Sequence, residues 1–158
     1  MFNKRARRRA LRALTHAVIV SIFGESPDKK PERLLKYDLD ELDAELIQRG
    51  LDMELMGARP DAGLESLRMS GVLCELVPEF LPVFSFGGYG TQHKALWNHT
   101  KVVVAQSPAR LAVRWAAVFH DVGKPTTIKI VKDEVSFHCH EQASARIFEK
   151  TCKNTVMF

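Results

Sequence analysis

Apolar residues recur at three- and four-residue steps along most of this chain, and glycine or proline cuts each such stretch before it grows long. That rhythm admits short amphipathic helices packed on one another and excludes an alternating, strand-built fold. Leu11, Leu14, Val18 and Ile22 place a helix over Arg7 to Phe23, closed by Gly24 and the Ser26-Pro27 pair. Leu39, Leu42, Leu46, Ile47, Leu51 and Leu55 predict a helix from Asp38 to Met56, and Leu64, Leu67 and Leu73 a shorter one from Ala62 to Cys74. Val77 to Phe84 is apolar but carries Pro78 and Pro82, and Phe86 to Gly90 reads as a flexible turn.

A further helix is expected from Thr91 to Ala105, with Leu96, His99 and Val103 on one face. Ser107-Pro108 then offers an N-cap and a first-turn proline for a helix running to Gly123. Ile128 and Ile130, then Val135 and Phe137, alternate around Lys132-Asp133-Glu134, the pattern of a small hairpin. His140 to Cys152 completes the series. The expected fold is mainly α, a helical bundle with a small β-hairpin insertion.

Charge divides the chain further. Lys4, Arg5, Arg7, Arg8, Arg9 and Arg12 precede the first acidic residue, Glu25, and Asp38 to Glu54 is strongly acidic. The net charge of +4 is thus an N-terminal property. Residues 1–36 read as a basic helical arm and linker, and residues 37–158 as a helical body. Arg7, Arg8 and Arg9 are the candidate contacts to an RNA backbone; the alternative is a solvated arm. No apolar run approaches the roughly 20 residues of a membrane span, so no membrane partner is expected. Three cysteines without paired spacing point to a reducing compartment, hence the cytoplasm. The arginine-rich, acid-free start also suits an organelle transit peptide.

The chemistry concentrates late in the chain. Ala116 to Val118 and Phe119 deliver His120 and Asp121 at a helix end, followed by Gly123 and Lys124. Imidazole and carboxylate together suit divalent Fe, Co, Ni, Zn or Mn, and Lys124 sets a cation beside them for a substrate phosphate. A lone histidine on an apolar face, as His99 is, is more often a hydrogen-bonded core residue than a ligand. If the next helix began at Ser107, His99 and His120 would lie about 12 and 20 Å from the bend, a loose match. His138 and His140 leave the hairpin with Glu141 and offer either a phosphate contact or a solvated exit.

Leu96-Trp97-Asn98-His99-Thr100, then Val113-Arg114-Trp115-Ala116-Ala117-Val118-Phe119-His120-Asp121-Val122-Gly123-Lys124-Pro125-Thr126, then Phe137-His138-Cys139-His140-Glu141 with Ser144-Ala145 occur in that order. This series resembles the HD superfamily of metal-dependent phosphohydrolases. The closer likeness is to HD domains attached to tRNA nucleotidyltransferases, the CCA-adding enzymes, and their poly(A) polymerase relatives. Arg59-Pro60-Asp61 to Leu67, Ser70 to Leu73 and Leu76 to Phe80 extend it upstream, and Arg9 to Leu14 with Ala17 extend it more weakly. The motifs fall within residues 91–145.

The resemblance implies a divalent metal (Mn, Ni, Co, Fe, Zn or Mg) held by His99, His120 and Asp121. Asp121 and Lys124 are the catalytic pair, and Lys124, His138 and His140 the phosphate contacts. Nucleotide or RNA phosphoesters are the implied substrates. Two departures stand out. The sequence holds no Gly-Ser run followed by an Asp-x-Asp pair, so no nucleotidyltransferase head is expected. No aspartate follows Asp133, so the family's later aspartate ligand has no match. The site either completes itself with water, takes a ligand from another subunit, or is degenerate. In the last case the chain is a non-catalytic RNA- or tRNA-binding body. A third reading is an interaction domain or partial gene product: a family domain lacking its final helices would leave an apolar face exposed and should self-associate or need a partner. Trp97, Trp115, Phe80, Phe84 and Phe86 are read as packing, His93 as a neighbour of the site, and His16 as without a role.

Overall fold

The structure, a computed structural model, describes residues 3–26, 28–87, 95–132 and 134–155. Helix α1 (Lys4–Phe23) opens the chain. Its Asn3 cap accepts the Arg5 and Ala6 amides, and Gly24 closes it in the left-handed conformation. Ala10, Ala13 and Ala17 are fully buried, so the backbone of α1 lies close against the body. It packs on α2 (Ala44–Leu55) and α3 (Pro60–Ser70). Its core residues join one cluster with Leu51, Leu64, Trp97 and Phe119.

The charges that looked divided in the sequence meet in the fold. Arg9 makes a two-pronged pair with Asp38, both bonds 2.7 Å. Arg7 donates to the Glu41 carbonyl at 2.9 Å, and the Asn3 amide to the Glu41 carboxylate. Six basic residues in the first turns oppose the helix dipole, and the acidic segment supplies the compensation. That segment does not continue as one helix from Asp38. A single 3-10 turn (Leu39–Glu41) gives way to an extended Leu42 and Asp43 before α2 starts. Asp38 is committed to Arg9 and to the Leu35 amide instead.

Gly71, at φ 90, separates α3 from α4 (Val72–Leu76), so the expected single helix from Ala62 to Cys74 is two. The proline-broken stretch after it is also helical, α5 (Phe80–Ser85). Pro82 is tolerated because it lies in the first turn, where amides have no intrahelical acceptor. Phe80 and Phe84 of α5 meet Trp97 edge-on, at 6.2 and 4.9 Å, and Phe80 also meets Phe119 at 5.5 Å. Phe86 lies against Phe137.

Helix α6 (Leu96–Gln106) and helix α7 (Leu111–Phe119) follow. Residues 91–94, including His93, lie outside the described residues. Ser107 ends α6 rather than capping α7: its hydroxyl donates back to the Val103 carbonyl, and Arg110 is the extended residue before α7. Helix α7 stops at Phe119, and residues 120–123 turn into the short helix α8 (Lys124–Thr127). Strands β1 (Lys129–Val131) and β2 (Glu134–Ser136) pair antiparallel, with Ile130 opposite Val135. Helix α9 (His140–Thr155) closes the described chain. The fold is therefore mainly helical with one hairpin inserted, as expected. No helix among the described residues is long and apolar enough to cross a membrane.

Candidate metal centre

Two helices carry the ligands, and each is fixed from behind. On α6, Trp97 and Lys101 both bond to Glu65 of α3, at 2.7 and 2.8 Å. Residues two apart on a helix point about 200° apart, so anchoring Trp97 turns His99 to the opposite side, toward α7. On α7, Arg114 is buried and donates to the carbonyls of Leu55 and Gly57 at the end of α2. Trp115 donates to Asp52 at 2.9 Å.

His99 and His120 then meet with Nε2 atoms 3.3 Å apart. The loose spacing inferred from a helix start at Ser107 is corrected by the real one. His99 lies seven residues before the end of α6, and His120 nine after the start of α7. The two arms of the bend are therefore nearly equal. Asp121, whose side chain is 4% exposed, puts Oδ2 at 3.1 Å from His120 Nε2 and 3.6 Å from His99 Nε2. One donor atom from each of the three residues falls within 4.8 Å of the others. His99 is not turned inward as its stripe suggested: its side chain is 44% exposed and forms the open side of the group.

The ring orientations suit metal binding. His120 Nδ1 lies 2.7 Å from the Ala117 carbonyl, which only accepts, so Nδ1 carries a proton and Nε2 faces the group, donating to Asp121 when the ring is charged and offering a lone pair when it is neutral. His140 repeats the device, with Nδ1 at 2.8 Å from the Phe137 carbonyl and Nε2 at 3.4 Å from Asp121 Oδ1. Lys124 Nζ sits 2.6 Å from Asp121 Oδ2. Burial alone would raise the Asp121 carboxyl; hydrogen bonds from His120 and Lys124 outweigh it and hold it at about 2. Burial works against a charged His120, but bonds to Asp121 and the Ala117 carbonyl outweigh that and raise it above its ordinary value. Two imidazole nitrogens and one ionised carboxylate oxygen form a donor set that fits a borderline divalent ion.

Residues 90–156 match the family described as HD domain. The chain contains an HD domain. Its similarity to curated proteins runs well beyond that segment. The "Multifunctional CCA protein" of Cupriavidus necator is 31% identical over 153 residues, 91% of this chain and 36% of that protein. The proteins of the same name from Dechloromonas aromatica and Azoarcus sp. are each 35% identical. They cover 73% and 75% of this chain, and 29% and 31% of their own length. The chain thus spans about a third of the length of the curated relatives it matches. No solved structure matches it. The HD domain is thereby related to that of CCA proteins, as its motifs implied.

Among the residues singled out from sequence, His99, His120, Asp121, Lys124 and His140 come together. His138 is exposed at the hairpin exit, and no described contact links it to the group. Arg8 is exposed, whereas Arg7 and Arg9 are spent on the acidic segment. An open apolar groove of about 630 Å³ runs between α7 and α9 beside His120, lined by Ala112, Ala116, Ala145, Phe148 and Cys152 among others. Two further residues had been given no role from the sequence. Glu65 holds α6 through two donors, Lys101 and Trp97; with Arg68 of its own helix they outweigh its burial and hold it at about 2. Nothing local marked it. Ser144 accepts the Gly123 amide at 2.9 Å; its place four residues after His140 was the available signal.

Proposed function

We propose that this HD domain is a metal-dependent phosphohydrolase acting on nucleotide or RNA phosphoesters. The observation that carries the reading is the convergence of His99 Nε2, His120 Nε2 and Asp121 Oδ2, with the His120 tautomer fixed by the Ala117 carbonyl. A divalent ion held by these three supplies Lewis acidity to an attacking water and charge to offset that gathering at phosphorus. The chain's own groups do the rest. Asp121 is ionised across the physiological range and binds as a carboxylate. Lys124 holds an ammonium beside it, placed to neutralise a phosphate oxygen. His140 presents Nε2 on the other side of Asp121, as a second phosphate contact, with His138 at the rim. Arg8 offers an exposed cation to an RNA backbone, with Arg7 and Arg9 behind it. Three unpaired cysteines fit a cytoplasmic setting.

The similarity to CCA proteins beyond residues 90–156 favours a second reading: a non-catalytic body that binds tRNA. One experiment separates the two. The purified protein is loaded with Mn, Ni, Co, Fe, Zn or Mg and offered 2′,3′-cyclic nucleotides, mononucleotides and RNA 3′ ends. Metal-dependent release of product, lost in His120→Ala and Asp121→Asn together with metal uptake, is the expected result. Turnover that persists in either variant refutes the assignment, and RNA binding without turnover selects the second reading.

A further inference from the structure

We propose that Ser144 is a positioning residue for this centre, acting through His140; the proposal rests on the metal-binding reading above. The chain enters α9 at Cys139, whose φ of 61 puts a non-glycine residue in the left-handed region. That sharp turn delivers His140 as the first helical residue. His140 and Ser144 are four apart and share a helix face. Both meet the 120–124 turn, but at different points. His140 Nε2 lies 3.4 Å from Asp121 Oδ1. Ser144, itself 4% exposed, accepts the Gly123 amide.

The approach is close enough to require glycine. A Cβ on Gly123 would stand 2.6 Å from the His140 carbonyl oxygen and 2.7 Å from the Ser144 nitrogen. The first turn of α9 is therefore clipped to the ligand turn at Gly123, and this sets the distance from His140 to Asp121. The two oxygens of Asp121 have separate duties. Oδ2 faces His99, His120 and Lys124, and Oδ1 faces His140. A clip that holds His140 against Oδ1 decides how Oδ2 is presented to the ion. Loss of the Ser144 hydroxyl lets α9 shift and the carboxylate rotate, so affinity falls although no ligand has been touched. Groups of this kind typically change metal affinity about 10–100-fold.

Cobalt(II) is the probe, followed by its visible absorption, on the full chain with Ser144→Ala, Ser144→Thr and Ser144→Val. Thermal unfolding and amide exchange at Gly123 are read alongside. Threonine and valine share a shape and differ by the hydroxyl. Thr should therefore stay within about threefold of wild type, while Val and Ala weaken cobalt about tenfold or more, alter its spectrum and expose the Gly123 amide to exchange. Thr and Val variants that bind cobalt equally overturn the role, even if Ala fails to fold. A wild-type protein that takes up no cobalt overturns the metal reading itself, and this role with it. A wild type that binds, beside variants that bind identically, overturns this role alone.

Discussion

Replacing Glu54 by glutamine should stabilise the protein, and the gain should grow with pH. Glu54 lies on α2 and is 1% exposed. Among the described residues, neither carboxylate oxygen has a hydrogen-bond partner. Ser21 of α1 binds its backbone carbonyl, and Gly63 of α3 lies against its side chain so closely that a Cβ there would clash. Loss of solvent pushes the carboxyl well above its ordinary 4.5; the Arg114 charge pulls the other way and does not prevail. Below pH 4.5 the folded and unfolded chains both keep the proton, and this group's contribution to stability is fully present. Above it the unfolded chain releases the proton and the folded one does not. Stability then falls by about 1.4 kcal/mol per pH unit until the folded carboxyl ionises.

Glutamine has no such titration. The advantage of Glu54→Gln over wild type should widen from pH 5 upward, by up to about 1.4 kcal/mol per pH unit for as long as the folded carboxyl keeps its proton. Urea unfolding of both proteins at pH 5, 6 and 7, followed by circular dichroism, measures it. The substitution leaves the metal-centre residues untouched, so their contributions cancel in the difference. A constant difference, or a wild type that gains on the variant as pH rises, refutes the reasoning. Either would mean that the carboxylate is ionised against Arg114, whose Nε is also buried without a partner.

Asp121→Asn, in chelator, should cost about 2 kcal/mol at pH 6 and little at pH 2. The native carboxyl is held at about 2 against 3.8, so its contribution is present above pH 3.8 and lost as pH falls toward 2; acid unfolding curves measure this. Phe80→Ala should cost roughly 3–5 kcal/mol in urea, because Phe80 is 1% exposed and joins Phe84, Trp97 and Phe119. Arg8→Ala should leave the melting temperature unchanged and lower the salt slope of RNA binding by about 1. Arg9→Ala should lower the melting temperature by removing the pair with Asp38.

Periodicity was enough to find α1, α6, α7 and α9, because each buries one stripe, and Gly24 closes α1 as expected. It misplaced boundaries wherever a polar side chain had a distant partner. Asp38 looked like the start of a helix and is the partner of Arg9, 29 residues away in sequence. Ser107 looked like a cap and bonds backward to Val103. That one misplacement also made the ligand spacing look unequal. His120 and Asp121 were legible because adjacency and the following Gly-Lys carry the chemistry on their own. Their union with His99 was legible only through the order of motifs, since the meeting depends on where α7 begins. The basic start read as a free arm because the neutralising acids lie beyond a connection whose path no local pattern records.

The anchoring of α6 through Glu65 has a mechanical consequence. Trp97 and Lys101 flank His99 along the helix and share a single carboxylate, so α6 cannot roll without surrendering both bonds together. The side of the centre formed by α6 and α7 is thus a fixed jaw, seated on the hydrophobic interior. Helix α9 meets that jaw through the clip at Gly123. Whatever occupies the centre should therefore find His99 and His120 already in place, a stationary reference that its arrival does not rearrange.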